Sequence, residues 1–368
     1  MQDNLSIKKR IIFSAIPFLV FIGILGIVEG IVRSKNPYIS SLEFFTKANF
    51  DKKVKLEHGQ QVFEGDALLG WRLMSNLSSV HWDFTPVSTN QQGMRYAKNI
   101  GDKKGDTMRI LALGDSVVFG YRVPVAFPAN PDSYDHSWLP FPALMENYVR
   151  EKNPGKNIEV IPMAVPGYST YQGLKWLERD IEELKPDLVI VHFGWNDTEP
   201  HAQYDRVALS HSWFRLAQRS LISQSQALIY LTKKKAEVVS DSANTPAVVT
   251  GVRVPKEEYV ENMLAIENLA EQHGAKTLIL GQVYRDAITN VEQQPRIADY
   301  RQSLAAAAHQ ADIPYLEIEK LTEKGYPDNA VLFGESIHPN HLGHQLMAQE
   351  IIEAIKRENL LEKQELTL

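Results

Sequence analysis

Between Arg109 and Arg357 short apolar runs alternate with longer amphipathic ones, and this alternation constrains the fold more than any other feature of the chain. The runs RILAL (109–113), NIEVIPM (157–163), DLVIVHF (187–193), KTLILGQV (276–283) and IPYLEI (313–318) read as strands. Between and after them, FPALMENYVREK (141–152), Thr170 to Leu184, 257–274, 296–310 and 341–357 read as helices. The run 187–193 is apolar almost throughout rather than at every second position, as expected of a parallel strand covered on both faces. A series of βα units of this kind predicts an α/β fold, a three-layer doubly wound parallel sheet.

Outside this region the chain changes character. Residues 34–106 divide into a stalk without clear periodicity (34–60) and a lead-in whose runs LLGWRL and VHWDFTPV, broken by Gly and Asn, predict short β-strands. Residues 107–368 are expected to form the main domain, interrupted by an insertion at about 198–254 that carries Trp213, Phe214 and Lys233-Lys234-Lys235. The insertion fits a lid over the strand ends and a surface helical excursion equally well, and the lysine run reads as a solvated helix face.

The N-terminal segment carries a second signal. Lys8-Lys9-Arg10 precedes the uncharged stretch Ile11 to Val28, and Glu29 follows it. As a helix this stretch is roughly 27 Å long, close to the hydrocarbon thickness of a bilayer. It is long for a signal-peptide core, and Glu29-Gly30-Ile31-Val32-Arg33 lacks a small-x-small cleavage pattern. Residues 1–33 are therefore expected to be a cytoplasmic tip and an uncleaved transmembrane anchor. The basic residues before the span place the main domain on the periplasmic or extracytoplasmic side of a single-pass inner membrane protein, with Arg33 and Lys35 weakening the charge bias.

Composition removes several function classes. With no cysteine, disulfides, thiolate metal sites and a Cys nucleophile are excluded. A net charge of −6 from mixed signs argues against nucleic acid as a partner.

Four short blocks fall at strand ends, where open α/β sheets place their ligands. Gly114-Asp115-Ser116 ends the first strand, and Pro166-Gly167-Tyr168-Ser169-Thr170 follows the second. Gly194-Trp195-Asn196-Asp197 follows the third, and Glu335-Ser336-Ile337-His338-Pro339-Asn340 precedes the last helix. Each alone is a common turn or helix cap. Their chemistry is nevertheless coherent: a hydroxyl, a Gly that lets a backbone N–H approach a ligand, an amide donor, and a histidine near a carboxylate. Pro339 keeps residue 338 out of helical conformation and so projects its imidazole from a loop.

In order and spacing these blocks resemble the SGNH (GDSL-like) hydrolase family over roughly residues 107–357. The resemblance implies an SGNH, flavodoxin-like sheet, with Ser116 as nucleophile, His338 as base and Glu335 as its acidic partner. It also implies an oxyanion hole made by the Ser116 and Gly167 N–H groups and the Asn196 amide, with no cofactor or metal. DALLGW (66–71) and STNQQGMR (88–95) look like the lead-in of membrane-anchored bacterial members linked to the cell envelope. Two positions depart from the family pattern. Glu335 stands where Asp is usual, which leaves a backbone carbonyl as an alternative partner for His338, and Pro162 and Ala164 stand where Asn and Gly are usual.

The implied function is serine-dependent hydrolysis of an acyl ester, such as an acetyl group on an extracytoplasmic glycan, lipid or small molecule. An O-acetyltransferase would use the same residues with a sugar hydroxyl as acceptor. A catalytically silent glycan-binding or scaffold protein is the alternative from another class. Trp195, Tyr168 and Tyr121, with the insertion at about 198–254, are expected to line a pocket. His338, His341 and His344 would spread over about 120° of a helix, too wide for a three-ligand metal face. An α/β-hydrolase elbow is disfavoured because the nearest string, Gly167 to Tyr171, ends in Tyr rather than Gly.

Overall fold

A computed structural model of the chain describes residues 7–35, 62–83, 85–123, 138–201, 203–209, 213–231, 251–283, 294–318, 329–335, 337–361 and 367–368. The expected stalk beyond residue 35, the lysine run 233–235 and Ser336 lie outside the described residues.

The described elements form two compact units. In one, helix α1 (Ile7–Lys35) is long and apolar enough to cross a membrane, and none of the described side chains of its stretch Ala15–Lys35 is buried in protein. The same unit holds the middle of the insertion. Part of a hairpin, β1 (Phe63–Asp66) and β2 (Gly70–Leu73), belongs here too, its turn held by Asp66 Oδ1, which accepts the Leu68 and Leu69 N–H groups at 2.8 Å.

The larger unit opens with the antiparallel pair β3 (Val80–Trp82) and β4 (Thr85–Val87), turned by Asp83 at φ +42°. Then come β5 (Thr107–Gly114), the short α2 (Ser116–Phe119), α3 (Phe141–Lys152), β6 (Asn157–Ala164), α4 (Thr170–Leu184) and β7 (Leu188–His192). The insertion leaves through β8 (Pro200–His201) and α5 (Asp205–Ala208), contributes α6 (Trp213–Gln224) to the other unit, and returns through β9 (Gly251–Val252). Because β8 pairs antiparallel with β9, the insertion's two ends form a closed stem. The chain finishes with α7 (Lys256–Gln272), β10 (Lys276–Leu280), α8 (Gln294–Gln310), β11 (Tyr315–Leu316) and α9 (His341–Arg357).

Five strands make one wholly parallel sheet in the order β11-β10-β7-β5-β6. Every residue of β5 and β7 is buried, as their unbroken apolar character predicts for strands sandwiched between helices. The chain order reverses direction beside β5, so the crevice at its carboxyl end is the topological switch point. The expected doubly wound sheet is thus the observed one. The last strand differs: only Tyr315 and Leu316 pair, because Pro314 has no N–H for a ladder and the strand lies at the sheet edge.

Candidate active site

Ser116 sits where β5 stops. Gly114 is required there by close approach, since a Cβ would meet Val118 Cγ2 at 2.2 Å and the His192 carbonyl oxygen at 2.7 Å. Asp115 then caps α2 by accepting the Val117 N–H at 2.9 Å, which fixes the backbone on both sides of Ser116. At the other end of α2, Arg95 from the lead-in donates to the Phe119 and Gly120 carbonyls at 2.8 and 2.9 Å. The nucleophile candidate therefore stands on a turn clamped at both ends.

The structure brings His338 to Ser116 from 222 residues away in sequence, with Glu335 on the same loop. Ser116 Oγ lies 2.7 Å from His338 Nε2, and Glu335 Oε1 meets His338 Nδ1. A carboxylate can only accept, so Nδ1 carries the ring proton and Nε2 is left to accept from the serine hydroxyl. The additional methylene of Glu335 is accommodated: the partner of Nδ1 is this carboxylate rather than a backbone carbonyl. Asn340 shapes the loop from its far side. It caps α9 through the Leu342 and Gly343 N–H groups, at 3.0 and 3.2 Å, and donates to the Val331 carbonyl at 2.8 Å.

Gly167 lies in the turn after β6 with φ +86°, a conformation that a side chain would strain. The hydrogen bond of that turn runs from the Tyr168 N–H to the Val165 carbonyl at 3.2 Å, so the Gly167 N–H stands outside it. The Ser116 N–H is the first of α2 and has no helical acceptor by position. Asn196 is held more firmly than the sequence suggests. Its amide nitrogen donates to the Tyr168 carbonyl at 2.9 Å and lies 3.3 Å from Asp115 Oδ2. The four sequence blocks are thus stitched into one cluster.

Two sets of supporting contacts around this cluster were not evident from the sequence. Tyr121 sets its ring edge against His338, with centroids 4.6 Å apart at 67°. Its hydroxyl donates to Asp83, and Arg122 Nε donates to the same carboxylate oxygen at 2.9 Å. The lead-in hairpin therefore buttresses the histidine. Beside the Gly167 turn, the buried Arg253 donates to the Gly167 carbonyl at 2.7 Å, to Gln172 at 2.8 Å and to Asp205 at 2.9 Å. Burial alone would lower its pKa, but the Asp205 and Glu199 carboxylates outweigh that and raise it, keeping the guanidinium charged. In VRV and VHWDF these charges give no sign of burial; only an arginine between two valines beside a strand hints at it.

Asp197 is fully buried and accepts the Thr170 N–H at 3.0 Å and its hydroxyl. Burial pushes its pKa up to about 7 despite those bonds, so near neutral pH it is poised between its two forms.

The pocket expectation needs correction. Tyr168 and Trp195 are buried in the core rather than facing a ligand. Tyr168 meets Trp176 edge-on at 5.7 Å, and the Trp195 indole N–H donates to the Val283 carbonyl at 3.1 Å. Large rings next to strand ends gain more by filling the helix–sheet space than by facing water. Of the expected trio only Tyr121 faces His338. The three histidines also part company. His341 stacks on Trp138 at 3.4 Å, and His344 accepts the Phe141 N–H at 3.1 Å, with burial pulling its pKa down to about 3. Among the described residues no group of three or more metal-binding side chains converges.

An arylesterase from Vibrio mimicus is 32% identical over 89 residues, which are 24% of this chain and 38% of that protein. The chain thus spans well under half the length of that curated relative. Among solved structures, a lipase/acylhydrolase from Enterococcus faecalis is similar at a TM-score of 0.43 and 17% identity, over 68% of this chain and 96% of its own. An acetylxylan esterase from Geobacillus stearothermophilus gives 0.42 and 14%, over 70% and 96%. The profile of the GDSL-like lipase/acylhydrolase family matches residues 112–346, the stretch that contains all four blocks. The chain belongs to the GDSL-like lipase/acylhydrolase family.

Proposed function

We propose that the protein is a membrane-anchored serine ester hydrolase that removes an acyl group, such as acetyl, from an extracytoplasmic glycan or lipid. The contact of 2.7 Å between Ser116 Oγ and His338 Nε2 carries this reading, with Glu335 on the opposite ring nitrogen. In the first step His338 takes the Ser116 proton as the oxygen attacks the ester carbonyl. Negative charge on the tetrahedral oxygen is met by the N–H groups of Ser116 and Gly167, and by Asn196 as it exchanges its longer contact with Asp115. His338 then gives its proton to the leaving alcohol. In the second step it activates water, which attacks the acyl-serine carbonyl and frees the acid.

The anchor in this reading is α1, supported by its length, apolar character and exposure. Residues 34–106 serve as stalk and lead-in, and residues 107–368 as the catalytic domain. Fluorophosphonate labelling of the full-length protein in detergent tests the chemistry. Labelling lost in Ser116→Ala and in His338→Ala is expected. A folded wild-type protein that takes no label would leave the silent, glycan-binding reading in its place. Release of acetate from an acetylated glycan, compared with acetyl transfer to a free sugar, separates hydrolase from transferase.

A further inference from the structure

In the C-terminal part of α1 the carboxylate of Glu29 does more than terminate the apolar stretch. Its Oε1 accepts the Gln226 N–H at 2.9 Å, and its Oε2 accepts the Ala227 N–H at 2.9 Å and the Ser225 hydroxyl at 2.8 Å. Arg33 Nε completes the shell on Oε1 at 2.7 Å. These are first N–H groups of the helical residues 226–231, which by position have no acceptor within the helix, so Glu29 caps that turn. The cap ties the insertion's helical pair, α6 and residues 226–231, to the exact point where the uncharged stretch Ile11–Val28 gives way to polar sequence.

This helical pair has two apolar sides. Ile222, Ala227 and Ile229 are buried, whereas Leu221 and Leu231 are 65% and 57% exposed, with Leu228 also open. Elsewhere outside α1, the large exposed apolar side chains among the described residues are scattered along the chain. The charge is equally uneven. From Trp213 to Lys235 the sequence holds Arg215, Arg219, Lys233, Lys234 and Lys235 and no acidic residue, in a chain whose net charge is −6. Exposed leucines, a Trp and a Tyr, and basic side chains without acids are the composition of a helix that lies in the bilayer interface.

We propose that residues 213–231 form an interfacial membrane element. Held at headgroup level by Glu29, it inserts Leu221, Leu228 and Leu231 among the acyl chains of an anionic phospholipid surface. This rests on the reading of α1 as a membrane span. The occupant is the lipid surface because the patch continues from the polar end of that span, and because its charge matches acidic headgroups.

The chain has no cysteine, so single cysteines can be introduced and spin-labelled without background. Leu221→Cys, Leu228→Cys and Leu231→Cys are read in the full-length protein reconstituted into vesicles of phosphatidylcholine with phosphatidylglycerol. Leu25→Cys reports the span, and Glu353→Cys reports the exposed face of α9. Labels at 221, 228 and 231 are expected to favour collision with oxygen over a water-soluble nickel chelate, as at 25 and opposite to 353. Replacing phosphatidylglycerol with phosphatidylcholine is expected to shift them toward the chelate. If they read like 353 while 25 reads as lipid, the interfacial element is overturned and the anchor stands. If 25 also reads as water, both fall. Labels shielded from both reagents would mean that protein covers the patch, and would overturn the proposal as well.

Discussion

The ring of Tyr121 stands edge-on to His338 with centroids 4.6 Å apart, and its hydroxyl is bonded to Asp83 in the lead-in hairpin. A segment outside the βα series thereby fixes the orientation of the candidate base. Asp83→Ala is expected to lower kcat by about 10- to 100-fold, the cost of letting a catalytic group drift from its working geometry, with little change in KM. Tyr121→Phe keeps the ring and should lose less than Tyr121→Ala. Steady-state kinetics on a p-nitrophenyl ester measures all three, and equal losses for Phe and Ala would show that the ring edge is not what holds His338.

Glu335 faces Nδ1 of His338, so removing its charge should leave the imidazole free to take the wrong tautomer. Glu335→Gln is expected to reduce kcat by roughly 10³- to 10⁴-fold, in line with loss of the acidic member of such a triad. Glu335→Asp, one methylene shorter, should retain more activity than Gln. Parity of Gln with wild type would return the orienting role to another group.

Gly167 combines φ +86° with a carbonyl gripped by Arg253. Gly167→Ala should cost about 1–2 kcal/mol in backbone strain and, by shifting a proposed oxyanion donor, about 10²- to 10³-fold in kcat. Arg253→Met leaves the buried Asp205 carboxyl without its guanidinium partner, and should destabilise the fold by roughly 3–5 kcal/mol in urea titrations. Unchanged stability in Arg253→Met would mean that Asp205 finds another cation or water.

Asp197 binds its proton more tightly in the folded protein, where its pKa is about 7, than at its ordinary value of 3.8. The folded state therefore holds more protons than the unfolded one between these values. The resulting stabilisation is full below about 3.8 and is lost as pH rises toward 7. His344 works in the opposite sense: its folded pKa of about 3 lies below the ordinary 6.5, so its contribution is lost as pH falls between them. The difference in unfolding free energy between wild type and Asp197→Asn isolates the first effect. It should shrink as pH rises through that window, and a flat difference would place Asp197 in its ionised form throughout.

Much of the architecture was legible in the chain. The helices at Thr170–Leu184 and His341–Arg357 stand where the apolar period placed them, because burial of one helical face is a local pattern. The four blocks were recognisable because each is a turn that ends a strand or starts a helix, and turn chemistry is written in adjacent residues. The inward rotation of Tyr168 and Trp195 was not, since nothing adjacent in sequence says which side of a turn has space. Nor could spacing announce that Arg109 is buried, bonded to Glu159 at 2.6 Å and to the Leu184 carbonyl at 2.6 Å; its partners come from β6 and the end of α4.

The sequence by itself determined the doubly wound sheet, the apolar N-terminal helix and the identity of Ser116, Gly167, Asn196 and His338 as candidates, all from periodicity and short-range motifs. Tertiary structure decided which groups support them. Glu335 meets the imidazole, Asp83 reaches Tyr121, Arg253 grips Gly167 and Glu29 caps residues 226–227. Apart from the Glu335 contact, these join residues dozens to nearly two hundred positions apart. A buried charge is stable only where the fold delivers its partner, and that delivery depends on packing rather than on any local pattern.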